Sequence, residues 1–282
     1  MDRARLDALF SGAGAAAWGQ TDYAALLPHM DAAARERADA LCPGAGTVLV
    51  AAFPYYTPSG PGNLSRYARG RDYHLVLGGA LEAVCGKLAE AFPQNRFVPG
   101  ADNSPLPERE AAWAAGLGLR GRNGLVILPP WGSWVFLGTV LTDLPFDGPA
   151  AAPSPGCGNC GRCAAACPGG ALREERFDPE KCLSHLTQKK GELSPEQAAL
   201  LSAHPLAWGC DRCQEVCPYN AAPEATELSP FLEDLVENIT PAMVEGATNR
   251  SFRAQWGERA FAWRGPAVLR RNLALQNRPK EE

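Results

Sequence analysis

Eight of the ten cysteines lie between residues 157 and 217, and no other feature restricts the fold of this chain as strongly. The first run reads GCGNCGRCAAACPGG and carries Cys157, Cys160, Cys163 and Cys167, followed by Pro168. The second reads GCDRCQEVCPYN and carries Cys210, Cys213 and Cys217, followed by Pro218. Cys182 lies between them. A C-x2-C-x2-C-x3-C-P run wraps one cubane [4Fe–4S] cluster with three thiolates and sends its fourth to a second cluster. Eight thiolates satisfy two cubanes, so the chemistry read here is electron transfer.

The crossover logic of bacterial ferredoxins assigns the thiolates. Cys157, Cys160, Cys163 and the distant Cys217 are expected to hold one cluster. Cys182, Cys210, Cys213 and the distant Cys167 are expected to hold the other. Around Cys182 the sequence signals a helix start, with Asp178 as N-cap and Pro179 at the first helical position, which predicts Cys182 in a first helical turn. Zinc fits poorly, because its sites use four-ligand groups of paired Cys or His and the chain has 4 histidines. A disulfide framework belongs to oxidising compartments, and MDRARLDALFSGAGAAAWGQ has no sustained apolar segment of the export type. A cytoplasmic location is therefore expected. Cys42 and Cys85 are read as structural. Cys85 sits on the helical-period stripe Leu77, Leu81, Val84, Leu88, Phe92.

A chain of 282 residues accommodates a large domain plus a small one. No apolar run approaches the roughly 18 residues that span a bilayer. A net charge of −4 and a pI of about 5.7 argue against bulk nucleic-acid binding while leaving room for a local basic face.

Before residue 145 the pattern alternates. The first forty residues are helix-prone, TVLVAAF reads as a buried strand, and a helix is predicted from about His74 to Phe92. RFVPGAD is extended, PEREAAWAAG is helical, and GLVILPPWGSWVFLGTVLT is a β-hairpin candidate. Leu144–Gly156 is a linker by composition. Ser194, Pro195 and Gln197 form a capping-box helix start, and Thr240-Pro241 opens another helix.

Several segments outside the cysteine runs are similar to one family. VPGADNSPLPER, AAGLGLRGRNGLVI, GSWVFLGTVLTDLPF, SRYARGRDYH, KCLSHLTQKKGEL and RGPAVLRRNLAL, in this chain's order, resemble epoxyqueuosine reductase. The match runs from about Ala40 to Leu275. It implies an α+β fold, with an α/β-like cobalamin-binding domain over 1–150. A bacterial ferredoxin-like double-cubane module over 151–225 and a helical extension over 226–282 would follow. The implied activity reduces the epoxide of epoxyqueuosine in tRNA to queuosine, with the clusters feeding a base-off cobalamin. The implied partners are that tRNA and a flavodoxin or ferredoxin system as electron donor, with no membrane.

By the same resemblance the proton donor is Asp102, in a D-N-S-P motif where Asn103 replaces the usual hydroxyl residue. Burial beside a flat macrocycle would raise its pKa toward neutrality and suit it to general-acid work. The alternative is an N-cap for the helix that follows, a role for which Ser104 is better placed. The resemblance also implies corrinoid contacts at Ser65, Arg66, Asn123, Val126, Leu137 and Ser184. Val126 and Leu137 could equally be core, and Ser65 and Asn123 turn residues. His74 and His185 are cobalt ligands in principle only.

Many family members continue past the RNLAL-like segment into helical HEAT-like repeats, whereas this sequence ends at Glu282. A short form with a reduced RNA grip is expected. Lys189, Lys190, Arg250, Arg253, Arg264, Arg270 and Arg271 could supply a phosphate-binding face. Two readings compete with this one: a related corrinoid and iron–sulfur reductase acting on another substrate, such as a dehalogenase, and a ferredoxin-like electron carrier.

Overall fold

Every residue of TVLVAAFP is buried, so this strand needs cover on both faces and takes an inner position in its sheet. In the computed structural model, which describes residues 3–145, 151–173 and 176–277, it is β2 (Thr47–Pro54) of a four-stranded antiparallel sheet. The strand order is β1 (Ala17–Asp22), β2, β6 (Val135–Thr142), β3 (Phe97–Gly100). Val48 opposes Leu141 and Leu49 opposes Val140, so alternate residues serve opposite faces. One face holds Val48, Val50 and Leu141 against α2 (Ala32–Leu41) and α4 (Glu108–Ala114), with Ala38, Ala111, Ala112 and Trp113 in the same core. Across the other runs α3 (Tyr73–Ala91), which buries Leu77, Leu81, Val84, Cys85 and Leu88 along one stripe. Gly138 permits that approach: a Cβ there would meet the Leu81 side chain at 2.6 Å.

Three local expectations fail here. The helix-prone N-terminus contains α1 (Arg3–Gly12) and α2, but also the edge strand β1, recruited because β2 offers a free ladder. The hairpin candidate does not close as one ladder. Its first half, β5 (Val126–Ile127), pairs with β4 (Leu119–Arg120), and its second half, β6, lies between β2 and β3. The cause is burial on both faces of β6, which fits an inner position and not an isolated ribbon. Ser104 does not cap α4: the N-cap is Pro107, and the Ser104 hydroxyl accepts from the Leu106 N–H instead.

The chain forms two compact units, Met1–Tyr55 with Tyr73–Gly158, and Tyr56–Asp72 with Asn159–Glu282. The resemblance implied cuts at 150 and 225. The first lies outside the described residues, and the contacts run across the second. Residues 56–72 belong with the cysteine-bearing unit because their polar groups are answered there. Asn63 exchanges two hydrogen bonds with Ile239, Leu64 bridges Trp208, and the Arg69 guanidinium closes on the Leu64 and Gly60 carbonyls.

The second unit is built from short pieces. In chain order these are α5 (Arg162–Ala165), the ribbon β7 (Leu172–Arg173) with β8 (Arg176–Phe177), and then α6 (Leu183–Gln188) and α7 (Pro195–Ser202). They continue with α8 (Arg212–Glu215), α9 (Pro241–Val244), α10 (Asn249–Trp256) and α11 (Pro266–Gln276). The capping box at Ser194 and Gln197 forms as read. The helix α11 packs on α6, α7 and α9, and its buried Asn272 donates to the Thr187 and Ala207 carbonyls.

Candidate metal centre and acid site

In the cysteine-bearing unit, α5 and α8 each begin within two residues of a ligand cysteine and pack against one another. Each is a single turn that ends two residues before the last cysteine of its run, and the proline that follows cannot continue a helix. The thiols of Cys210 and Cys213 are both pushed up to about 12, chiefly by burial, with smaller contributions from Asp211, from Cys182 and Cys167 and, at Cys213, from Cys210. Cys167 and Cys182 thus lie near enough to Cys210 and Cys213 for their charges to be felt there. In the absence of iron these thiols hold their protons, and cluster assembly must release them. Cys182 is not inside a helical turn. It is the junction residue between the short turn Pro179–Lys181 and α6, because the Asp178 cap closes only that turn.

The loops are prepared for sulfur. The Ala171 N–H donates to Cys167 Sγ at 3.2 Å. Gly209 has φ of +74°, and any side chain there would strike Ser65. Among the described residues, no three His, Cys, Asp or Glu side chains close on a single metal ion; a cubane takes its thiolates at the corners of a larger body. The donor set and its N–H···S bonds fit iron–sulfur clusters.

Asp211, between Cys210 and Cys213, is 4% exposed. It accepts from the Ser65 hydroxyl and the Arg66 N–H, and burial raises its pKa despite them. This clamp engages two of the six residues that the resemblance assigned to corrinoid contact, Ser65 and Arg66. Ser65 is spent on Asp211, and the Arg66 guanidinium bonds the Thr57 carbonyl and Ser59 Oγ beside the Tyr56 ring. Ser184 sits half-buried in the first turn of α6, its carbonyl accepting from Thr187 and Gln188. Neither named histidine has a vacant Nε2: His185 contacts Glu180 and His74 contacts Asp102.

In the sheet-bearing unit, Asp102 follows β3 with φ of +59°, the left-handed region that non-glycine residues seldom occupy. Two partners fix it. Its N–H donates to Glu108 Oε1 at 2.6 Å, and its Oδ2 lies 3.0 Å from His74 Nε2. The expectation of a buried, raised carboxyl is not met. The Asp102 side chain is 58% exposed, and its pKa is lowered, chiefly by the His74 hydrogen bond. The raised acid is Glu108, pushed by burial to about 8. The sequence reading passed over Glu108, for which the acidic PERE at the start of α4 was the only signal.

A row of rings leads to Asp102: Tyr55 stacks on Phe136 at 4.2 Å, Phe136 on Tyr73 at 4.4 Å, and Tyr73 on His74 at 4.1 Å. Phe136 is on the α3 face. Leu137, its neighbour, points to the opposite core and packs there beside Val126. Both are thus core side chains. Asn123 is different: its Nδ2 is buried with no hydrogen-bond partner among the described residues, while its Oδ1 accepts from Leu125. A buried donor left open calls for an acceptor, and the peripheral amides of a corrinoid carry carbonyl acceptors.

The paired cysteine runs and the exposed acid on the sheet define an oxidoreductase of the iron–sulfur class. A family model described as "4Fe-4S double cluster binding domain" matches residues 156–220, and one described as "Epoxyqueuosine reductase QueG, DUF1730" matches residues 35–102. Epoxyqueuosine reductase of Gloeobacter violaceus is 36% identical over 270 residues, which cover 90% of this chain and 83% of that protein. The Listeria monocytogenes enzyme is 38% identical over 218 residues, 76% of this chain but 56% of that longer protein. A solved epoxyqueuosine reductase with an epoxyqueuosine-modified tRNA-Tyr stem loop superposes with a TM-score of 0.84 at 25% identity, covering 97% of this chain and 80% of that one. The chain belongs to the epoxyqueuosine reductase family. The family's cofactors are two [4Fe–4S] clusters and cobalamin, and the cysteine set and the open Asn123 donor fit them.

Proposed function

We propose that this chain reduces the epoxide of epoxyqueuosine in tRNA to the alkene of queuosine, with Asp102 as the proton donor. The reaction consumes two electrons and two protons and releases the oxygen as water. Bound cobalamin, charged one electron at a time through the clusters, supplies the reducing equivalents. Breaking the carbon–oxygen bonds leaves a poor alkoxide leaving group unless it is protonated, and that is the task of the acid.

The observation that carries this reading is the Asp102 carboxyl held by His74 and Glu108 on a left-handed turn, in a chain of this family. With no substrate over it, Asp102 faces water and is charged. A nucleoside laid over it removes that water and raises its pKa, while His74 keeps a proton within one hydrogen bond. Glu108 orients the Asp102 backbone, and burial lets it keep its own proton up to about pH 8, so the charge on Asp102 answers to His74 and to the covering substrate and not to a second carboxylate.

The RNA is met by a smaller basic face than the sequence offered. Arg270 is committed to the Val244 and Ala247 carbonyls, and Arg271 to those of Lys189, Gly191 and Leu186. Exposed Lys190, Arg250 and Arg253 remain. Exposed Trp263, with the Arg264 guanidinium 3.5 Å from its ring, adds a flat surface of the type that stacks on unpaired bases. The electron donor is a small flavodoxin or ferredoxin, and the setting is the cytoplasm. Among the described residues no helix is long and apolar enough to cross a membrane.

The test is turnover. Reconstituted protein with cobalamin and a reductant converts epoxyqueuosine-tRNA to queuosine-tRNA, and the Asp102→Asn protein, equally loaded, does not. A fully loaded parent protein that leaves the epoxide intact ends this reading.

A further inference from the structure

A side chain outside the cysteine motifs, that of His204, reaches a ligand sulfur. His204 lies on the stretch between α7 and Cys210, and its Nε2 is 3.7 Å from Cys210 Sγ. The opposite ring nitrogen locates the hydrogen. Leu206 donates its N–H to His204 Nδ1 at 3.3 Å, and a nitrogen that accepts carries no hydrogen in the neutral ring. The ring hydrogen therefore sits on Nε2, aimed at the sulfur. A thiolate bound to iron has no proton to offer in return, so the bond can only run from nitrogen to sulfur.

The ring is not loosely placed. The His204 N–H donates to the Leu201 carbonyl at 3.1 Å. Gln276 of α11 donates to the carbonyls of both His204 and Leu206 at 2.8 Å. These contacts hold both the imidazole and the N–H that selects its tautomer.

We infer that His204 sets the potential of the cluster on Cys167, Cys182, Cys210 and Cys213, by donating Nε2–H to Cys210 and stabilising the reduced state. Reduction adds negative charge that spreads onto the sulfurs, and a donor aimed at a sulfur favours the more negative state. His204 thus acts as a positioning residue: it touches a ligand and not the reacting atoms. The inference rests on the cluster assignment above and is independent of the tRNA substrate.

The test is a redox titration of the reconstituted full chain, followed by electron paramagnetic resonance. In His204→Leu both cubane signals persist and one potential becomes more negative while the other stays in place. At a fixed poise, the reduced-to-oxidised ratio of the affected cluster falls roughly tenfold, as expected for loss of one charge-assisted hydrogen bond. His204→Gln, which keeps an N–H donor, recovers part of the shift. Unchanged potentials in a fully loaded His204→Leu protein, or equal movement of both, overturn the inference. A measurement on the unaltered sequence guards against a variant that fails to load iron. With 15N-histidine incorporated, pulsed spectra of the reduced protein show a histidine nitrogen coupled to a cluster, and the absence of that coupling overturns the inference. If the reconstituted parent gives no cubane signal at all, the cluster assignment fails instead, and the inference falls with it.

Discussion

Asp102 and Asp211 illustrate opposite ways of holding a carboxyl. Asp211, in the cysteine-bearing unit, is buried, answered by Ser65 and Arg66, and carries a raised pKa. Asp102, in the sheet-bearing unit, is exposed, bonded to His74, and carries a lowered one. Desolvation dominates the first and a hydrogen-bond donor the second. Asp211 joins residues 56–72 to the loop between two ligand cysteines. Asp102 stays open to solvent at the end of a short strand, where a substrate can reach it.

Substitutions should separate the two regions. The largest effect is expected from Cys213→Ala: one cluster is lost, iron falls from about eight to about four atoms per chain, and turnover ceases. Iron analysis and paramagnetic resonance check this. Asp102→Asn should lower turnover by about 10²- to 10⁴-fold, the usual contribution of a general acid, with both cluster signals unchanged. A change in iron content would show that the regions are not separable in this way. Leu81→Ala should cost about 2–5 kcal/mol by leaving a cavity under Gly138, read by denaturant unfolding. Asp211→Ala should cost about 2–4 kcal/mol, because the Ser65 hydroxyl and Arg66 N–H lose their buried acceptor, with cluster loading weakened.

The last prediction concerns Glu108, whose effect is read as a slope with pH. Its carboxyl keeps a proton up to about pH 8 in the fold but loses it near 4.5 when unfolded. Across that window the folded state binds more protons, so stability falls as pH rises through it. Glu108→Gln removes this slope. Unfolding midpoints compared between pH 5 and pH 9 check it, and a parent protein whose stability does not decline relative to the variant would refute the burial of Glu108.

How legible each region was in the sequence follows from its construction. Ligand spacing in the cysteine runs is local, so Cys157 to Cys167 and Cys210 to Cys217 could be read along the chain. The caps at Asp178 and Ser194 were legible for the same reason. The sheet-bearing unit depends on pairing. GLVILPPWGSWVFLGTVLT read as a hairpin because adjacent apolar runs usually pair, and nothing in it announced that β2 and β3 would take both sides of β6. Leu137 and Phe136 looked interchangeable until the register put them on opposite faces. Ser65 and Arg66 lie far from Cys210 in the sequence, so their union with Asp211 could not be read from either segment.

By itself the sequence determined the number of thiolates, their spacing in two runs, the apolar stripe of α3 and the buried character of β2. Those properties are periodicities, and a periodicity is complete within its own segment. Only the tertiary structure decided which acid is charged, where the hydrogen of His204 points and which serine is already occupied. Protonation and hydrogen bonding depend on what stands a few ångströms away in space, and the neighbours that matter here come from segments tens of residues apart.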